Sequence, residues 1–73
     1  MIGVKIISIK SEYITLGQFL KLADLISSGG QAKFFLKEND VLVNGKQTDS
    51  RGLKLHHDDS ISVDQEDFKI ICT

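Results

Sequence analysis

A glycine pair followed by spaced lysines is the part of this sequence best suited to bind a phosphate group. Gly29-Gly30 precedes one of two predicted helix starts, where free backbone N–H groups attract anions and missing side chains allow close approach. Lys33 lies about one turn inside that helix, and Lys37 follows on an outer edge. A simple turn explains Gly29-Gly30 equally well, so the residues alone leave both alternatives open. The segment is not a nucleotide-binding P-loop, because the Gly-Lys-Ser/Thr end of that motif is missing.

Further positive charge comes from Arg51 and Lys54, which follow a predicted hairpin in a loop expected to return toward the same face. Arg51 is the better candidate for a bidentate phosphate contact, because its guanidinium group is a planar fork of donors. The alternative for both residues is a solvated loop. Lys21 and Lys46 are expected to add positive field without defined contacts.

Charge is distributed unevenly along the chain, although the net charge is only −1. Residues 1–54 carry eight Lys or Arg and five Asp or Glu, whereas residues 55–73 carry Lys69 and five acidic residues. A basic face turned toward a polyanion and an acidic face turned away would produce this pattern. An uneven distribution without functional meaning is the alternative.

No catalytic or metal site is predicted. His56 and His57 are neighbours in a predicted strand and therefore point to opposite faces. The acidic residues after position 57 lack a defined ligand loop and read as a solvated face. Cys72 is the single cysteine, which excludes an internal disulfide and a thiolate metal site, and it is expected to be a buried strand thiol. We expect neither an enzyme nor a cofactor.

The elements that position these residues begin with a strand at 4–10 and a helix that ends near Leu25. Thr15 and Gln18 form a capping box at the start of this helix, with Ile14 and Phe19 as a hydrophobic staple. A second helix runs from about 30 to 38. It is opened by a Ser28–Gln31 capping box and closed by Asn39 in the left-handed conformation.

The remainder of the chain is predicted to be β-structure. A hairpin at 41–48 turns at Asn44-Gly45 in a type I′ turn, and short strands follow at 53–55, 60–63 and 68–72. The predicted fold is a single α+β domain over residues 1–73, with two packed helices against a small, mainly antiparallel sheet. No apolar run is long enough to cross a bilayer, so we expect a soluble cytoplasmic protein without membrane contact.

Aromatic residues are few and are mainly core candidates, which argues against a platform for stacking single-stranded RNA. Tyr13 precedes the first helix. Phe34 is the exception, because it falls beside the inward-facing Phe35 and Leu36 and can be exposed.

Several separated segments together resemble the S4-type RNA-binding domain, most closely its small stand-alone bacterial members, the YaaA-like and YbcJ-like proteins. The segments, in order, are Ile14–Lys21, Ser28–Lys33, Val41-x-Val43-Asn44-Gly45 and Arg51-Gly52-x-Lys54-Leu55. The resemblance spans about residues 7–63, and the spacing from Ala32 to Asn44-Gly45 agrees with the family without a gap.

The resemblance implies an αL motif, which is a helix pair whose outer surface binds structured RNA. The hairpin contributes to the same binding surface. It implies a non-catalytic protein that docks on ribosomal RNA or tRNA through phosphate contacts, and we expect a monomer. The candidate RNA-binding residues are Lys21, Ser28, Gly29, Gly30, Gln31, Lys33, Lys37, Lys46, Arg51 and Lys54.

An alternative reading is a protein-interaction adaptor with the same fold and weak or no RNA affinity. Thr15 and Gly29 stand where many family members have arginine, and Asp58-Asp59 stands where a Gly-Asp pair is common. Convergence of Lys33, Lys37, Arg51 and Lys54 on one face would favour the RNA-binding reading.

Overall fold

The computed structural model describes residues 3–73. Met1 and Ile2, which the prediction of one domain over residues 1–73 includes, lie outside the described residues. The elements in chain order are β1 (Val4–Ile9), β2 (Tyr13–Thr15), α1 (Leu16–Leu22), a 3₁₀ turn (Gly29–Gln31), α2 (Ala32–Glu38), β3 (Val41–Val43), β4 (Lys46–Gln47), β5 (Lys54–His56), β6 (Ser60–Val63) and β7 (Glu66–Cys72).

Most strands form one sheet with the order β1-β7-β6-β3-β4, and β2 pairs with β5 in a separate ribbon. The β1–β7 pair is parallel, and the other pairs are antiparallel. The fold is therefore α+β with a mainly antiparallel sheet, as predicted. The parallel pairing of the first and last strands was not predicted.

The core lies between the two helices and one face of the sheet. Phe19 of α1 meets Phe68 of β7 edge to face, with ring centroids 5.2 Å apart. The first turn of α1 lies beside the start of α2, because a Cβ atom placed on Gly17 would be 3.7 Å from the Cβ of Ala32. The buried side chains are Ile9, Ile14, Leu16, Phe19, Leu20, Ile26, Ala32, Leu36, Val41, Leu55, Ile61, Val63, Phe68 and Ile70.

Helix α1 begins as predicted and ends earlier. Thr15 Oγ1 accepts a hydrogen bond from the Gln18 N–H at 3.2 Å, and Gln18 Oε1 accepts from the Thr15 N–H at 2.9 Å, which confirms the capping box. The helix ends at Leu22, because Asp24 takes a left-handed conformation with φ 62°. Backbone bonds from Leu25 to Leu20 (2.9 Å) and from Asp24 to Lys21 (3.1 Å) close a Schellman motif.

The residue that ends helix α2 has a different backbone conformation from the one predicted. Asn39 is extended, with φ −125° and ψ 149°, so the prediction of a left-handed cap is wrong. Its backbone N–H and its side-chain Nδ2 each donate to the carbonyl oxygen of Phe35 at 3.0 Å. The extended backbone leads directly into β3, which starts at Val41 and pairs with β6.

The hairpin turn has the predicted geometry, with φ 52° at Asn44 and 83° at Gly45. Cys72 is half-buried and not fully buried as predicted, and its thiol donates to the carbonyl oxygen of Ser11 at 3.1 Å. Strand β5 starts one residue later than predicted, and β7 starts two residues earlier. Within residues 3–73, no helix is long and apolar enough to span a membrane.

Candidate nucleic-acid interface

The connection between β4 and β5, residues 48–53, lies against the start of α1. The Gly17 N–H donates to the Arg51 carbonyl oxygen at 2.9 Å, and the Leu16 N–H donates to the Leu53 carbonyl oxygen at 2.8 Å. A Cβ atom on Gly17 would be 3.7 Å from the Cβ atoms of both Arg51 and Ala32. Arg51 therefore lies beside the start of α2, where Lys33 is the second residue.

The other candidate cations also border this connection, which we call the 48–53 loop. Lys37 lines a shallow surface depression together with Thr48 and Asp49. Lys46 lines a second depression together with Thr48 and Leu53. Lys54 follows the loop directly, as the first residue of β5. We define the basic face by these cations around the loop: Lys33, Lys37, Lys46, Arg51 and Lys54.

Every side chain of the basic face is exposed, and within residues 3–73 none of them forms an ion pair. Two lysines elsewhere are paired: Lys5 Nζ lies 3.4 Å from Glu66, and Lys69 Nζ lies 3.0 Å from Asp58. The hydrogen bond and the positive charge of Lys69 lower the pKa of Asp58, with a smaller contribution from His57. The acidic C-terminal segment thus pairs with these other lysines, whereas the cations of the basic face have no ion-pair partner within residues 3–73.

The start of α1 is not available to an anion, so the prediction of two anion-binding helix starts is wrong for this helix. The N–H groups of Leu16 and Gly17 are bonded to the 48–53 loop, and that of Gln18 is bonded to Thr15 Oγ1. These bonds satisfy the donors that a bound phosphate would need. The loop that brings Arg51 to the helix therefore also closes the helix start.

The 3₁₀ turn before α2 is more open. Gly29 and Gly30 are exposed, and no atom outside their chain neighbours lies within 4 Å of the position that a Cβ atom would occupy. Gln31 Oε1 accepts hydrogen bonds from the Ser27 N–H at 2.7 Å and from the Ser28 N–H at 3.3 Å. The side-chain oxygen of Gln31 therefore holds the backbone of this turn in place.

Lys21 lies apart from the basic face by its contacts. It is in the last turn of α1 and borders a surface with Ile14, Gln18 and Leu22. The residues bordering that surface do not include any from the 48–53 loop.

Exposed aromatic and imidazole rings adjoin the basic face, and sequence reasoning did not group them with it. Lys54 Nζ lies 4.9 Å from the centroid of the Tyr13 ring, and the His56 ring lies 5.9 Å from the same ring. Tyr13 and His56 are opposite each other in the β2–β5 ribbon, so only the strand pairing shows that they are neighbours. Phe34 of α2 is 64% exposed.

The side chains of His57 and Asp59 accept structural hydrogen bonds. His57 Nδ1 accepts from the Cys72 N–H at 2.9 Å, and Asp59 Oδ2 accepts from the His56 N–H at 2.7 Å. In the part of the chain that the structure describes, no three His, Cys, Asp or Glu side chains are grouped so as to hold a metal ion.

Comparison with known proteins identifies the relatives of this chain. Residues 7–71 match the S4 domain family. The chain is also 57% identical, over 58 residues, to the probable ribosome maturation protein RlbA of Bacillus subtilis (strain 168). The matched region covers 80% of this chain and 82% of that protein. These findings confirm the resemblance that the separated sequence segments indicated.

Proposed function

This chain belongs to the S4 domain family, and we propose that it is a non-catalytic RNA-binding protein that docks on structured RNA through phosphate contacts. Ribosomal RNA is the first candidate and tRNA the second, since the similar Bacillus protein is named for ribosome maturation. We therefore propose that this chain has a corresponding role and binds ribosomal RNA.

The observation that carries the proposal is that the cations of the basic face are exposed and form no ion pairs within residues 3–73. Each lysine or arginine that neutralises a phosphate releases condensed counterions, so such a surface binds RNA with a marked dependence on salt. An ion pair with an acidic neighbour would oppose this gain, because the cation would have to give up its partner first. Lys33, Arg51 and Lys54 have no such partner within residues 3–73.

The roles within the site follow from position. Arg51 would bind a phosphate with two parallel hydrogen bonds, and Lys33 and Lys37 would contact phosphates along one strand. Ser28, Gly29 and Gly30 would let the RNA backbone approach, with Gln31 holding their turn in place. Lys46 and Lys54 would extend the contact along the hairpin side, and Lys21 would add positive field from the last turn of α1. A fixed spacing of cations favours RNA whose phosphates are held in a folded shape.

An adaptor that binds a partner protein is the second candidate, and one observation favours it. Val4 and Ile6 of the edge strand β1 are 55% and 54% exposed. Exposed apolar side chains on an unpaired strand edge are a common basis for protein contacts. In this reading the basic face would contribute little to function.

Binding to RNA across a salt series tests the proposal. Purified protein would be titrated into labelled ribosomal RNA fragments, tRNA and an unstructured control RNA, together with a Lys33→Ala/Arg51→Ala double variant. We expect tighter binding to structured RNA and a salt dependence that becomes shallower by roughly two counterion units in the double variant.

The matched control is the Lys5→Ala/Lys69→Ala double variant, which makes the same change in charge at lysines that are ion-paired. We expect this control to keep the affinity and salt dependence of the unmodified chain. Equal losses in both double variants would mean that only net charge matters. Absence of RNA binding at low salt would contradict the proposal and favour the adaptor.

A further inference from the structure

Phe34 is the most exposed large apolar side chain in residues 3–73, at 64%. Its neighbours in α2 face the interior: Ala32 and Leu36 are buried, and Phe35 packs against the core. Phe19 and Phe68 are also in the core, where they pack against each other. The ring of Phe34 is therefore not needed to fill the interior, and its apolar surface is presented to solvent.

The surroundings of Phe34 are cationic and open. Lys33 adjoins it, and Lys37 lies three residues further on the same side of the helix. Gly30 lies four residues before Phe34, at the start of the same helical segment. Gly30 has no side chain, and the space beside it is empty to 4 Å. An exposed flat ring thus lies close in the helix to two lysines that form no ion pair within residues 3–73.

We propose that Phe34 stacks on an unpaired nucleobase of the bound RNA, while Lys33 and Lys37 contact phosphates of the same strand. The inference rests on the proposed function and narrows its RNA to a structure with a loop, a bulge or a free end. A base within a continuous duplex has both faces covered by its neighbours, whereas an unpaired base offers a face to an aromatic side chain. Such stacking tolerates any base, so it selects the shape of the RNA and not its sequence.

The cationic setting distinguishes this ring from a contact site for an apolar protein surface. Burying Lys33 and Lys37 against an apolar partner would remove their solvation without a compensating charge. A nucleotide satisfies both requirements, because its base is flat and its phosphate is negative. Leu22, in the last turn of α1, is also exposed, at 58%, but its setting is different. The surface that it lines is shared with Ile14, Gln18 and Lys21, so one cation lies among these lining residues.

The chain contains no tryptophan, so a Phe34→Trp variant carries a single tryptophan, at the proposed site, that can be excited without exciting Tyr13. The probes are a hairpin RNA with an unpaired loop and bulge, and a blunt duplex of the same stem. We expect the hairpin to quench the tryptophan emission strongly and the duplex to leave it nearly unchanged. Leu22→Trp is the matched control, and we expect little quenching there with either RNA.

Affinity provides the second measurement. We expect Phe34→Leu to weaken binding to the hairpin about tenfold and to leave duplex binding unchanged, and we expect Phe34→Tyr to restore hairpin binding. Unchanged affinity of Phe34→Leu together with an unquenched Phe34→Trp would overturn the stacking role, while salt-dependent binding in the same titrations would keep the proposed function. Failure to bind either RNA would overturn both.

Discussion

Gly17 and Arg51 are joined backbone to backbone, with the Gly17 N–H donating to the Arg51 carbonyl oxygen at 2.9 Å. A Cβ atom on Gly17 would be 3.4 Å from that oxygen and 3.7 Å from the Cβ atom of Ala32. One side of the first turn of α1 is therefore shared by the 48–53 loop and the start of α2. This contact determines where Arg51 lies relative to Lys33.

The contact at Gly17 predicts that the free energy of unfolding depends sharply on the size of the side chain at position 17. Gly17→Ala adds a methyl group at ordinary contact distance, so we expect the free energy of unfolding to change by no more than about 1 kcal/mol. Gly17→Leu must push the loop away, and we expect a loss of about 1–3 kcal/mol from overpacking. Urea denaturation measures both values, and equal stability of the two variants would contradict the close approach.

The capping box predicts that the Thr15 hydroxyl stabilises α1. Thr15→Ala removes the acceptor for the Gln18 N–H, and we expect the free energy of unfolding to fall by about 1 kcal/mol. Thr15→Ser keeps an oxygen at the same place and serves as the control, with stability close to that of the unmodified chain. Chemical denaturation followed by circular dichroism distinguishes the two, and a similar loss in both variants would exclude the hydroxyl as the cause.

Asn44 adopts the left-handed turn conformation, and its side chain also forms two tertiary hydrogen bonds. Two substitutions separate these roles. Its Nδ2 donates to Asp59 Oδ1 at 3.1 Å, and its Oδ1 accepts from the Ser60 N–H at 3.0 Å. Asn44→Gly retains easy access to a positive φ and loses only the two side-chain hydrogen bonds. We expect Asn44→Ala to be less stable than Asn44→Gly by about 1 kcal/mol, because alanine strains the left-handed backbone. Thermal unfolding of the pair measures the difference, and the opposite order would refute the turn assignment.

The Lys69–Asp58 ion pair predicts a contribution to the stability of the fold that is lost only under acid conditions. The hydrogen bond and charge of Lys69 lower the pKa of Asp58 below its ordinary value of 3.8. A carboxyl group whose pKa is lower in the folded state contributes stability that is fully present above the unfolded pKa and is lost as the pH falls through the folded pKa. NMR titration of the Asp58 carboxyl carbon should give a midpoint below 3.8, and Lys69→Gln should raise it. A midpoint that Lys69→Gln does not move would exclude Lys69 as the cause.

Local sequence patterns determined the start of α1 and the hairpin turn. The Thr15–Gln18 capping box depends on residues three positions apart, and the type I′ turn depends on the tolerance of Asn44 and Gly45 for positive φ. Both features depend on side chains within a few residues of the backbone they shape. The α+β class followed from the order of the predicted elements, which is one strand, two helices and then a run of strands.

Features that depend on distant partners were missed or predicted wrongly. Asn39 is extended because β3, two residues later, pairs with β6, and no pattern near Asn39 carries that information. The end of helix α1 at Leu22 is a separate case with a local cause, because Asp24 takes a left-handed conformation that is uncommon for residues other than glycine. Cys72 is only half-buried, although a buried strand thiol was expected.

For the candidate interface, the sequence by itself determined which residues carry positive charge and that the acidic residues lie mainly at the C-terminal end. Only the tertiary structure decided which cations remain unpaired, since Lys5 meets Glu66 from the opposite end of the chain. It also decided that the 48–53 loop occupies the start of α1 and holds Arg51 beside α2. The physical reason is that ion pairing and loop docking depend on distances in space, which chain folding sets between residues far apart in sequence.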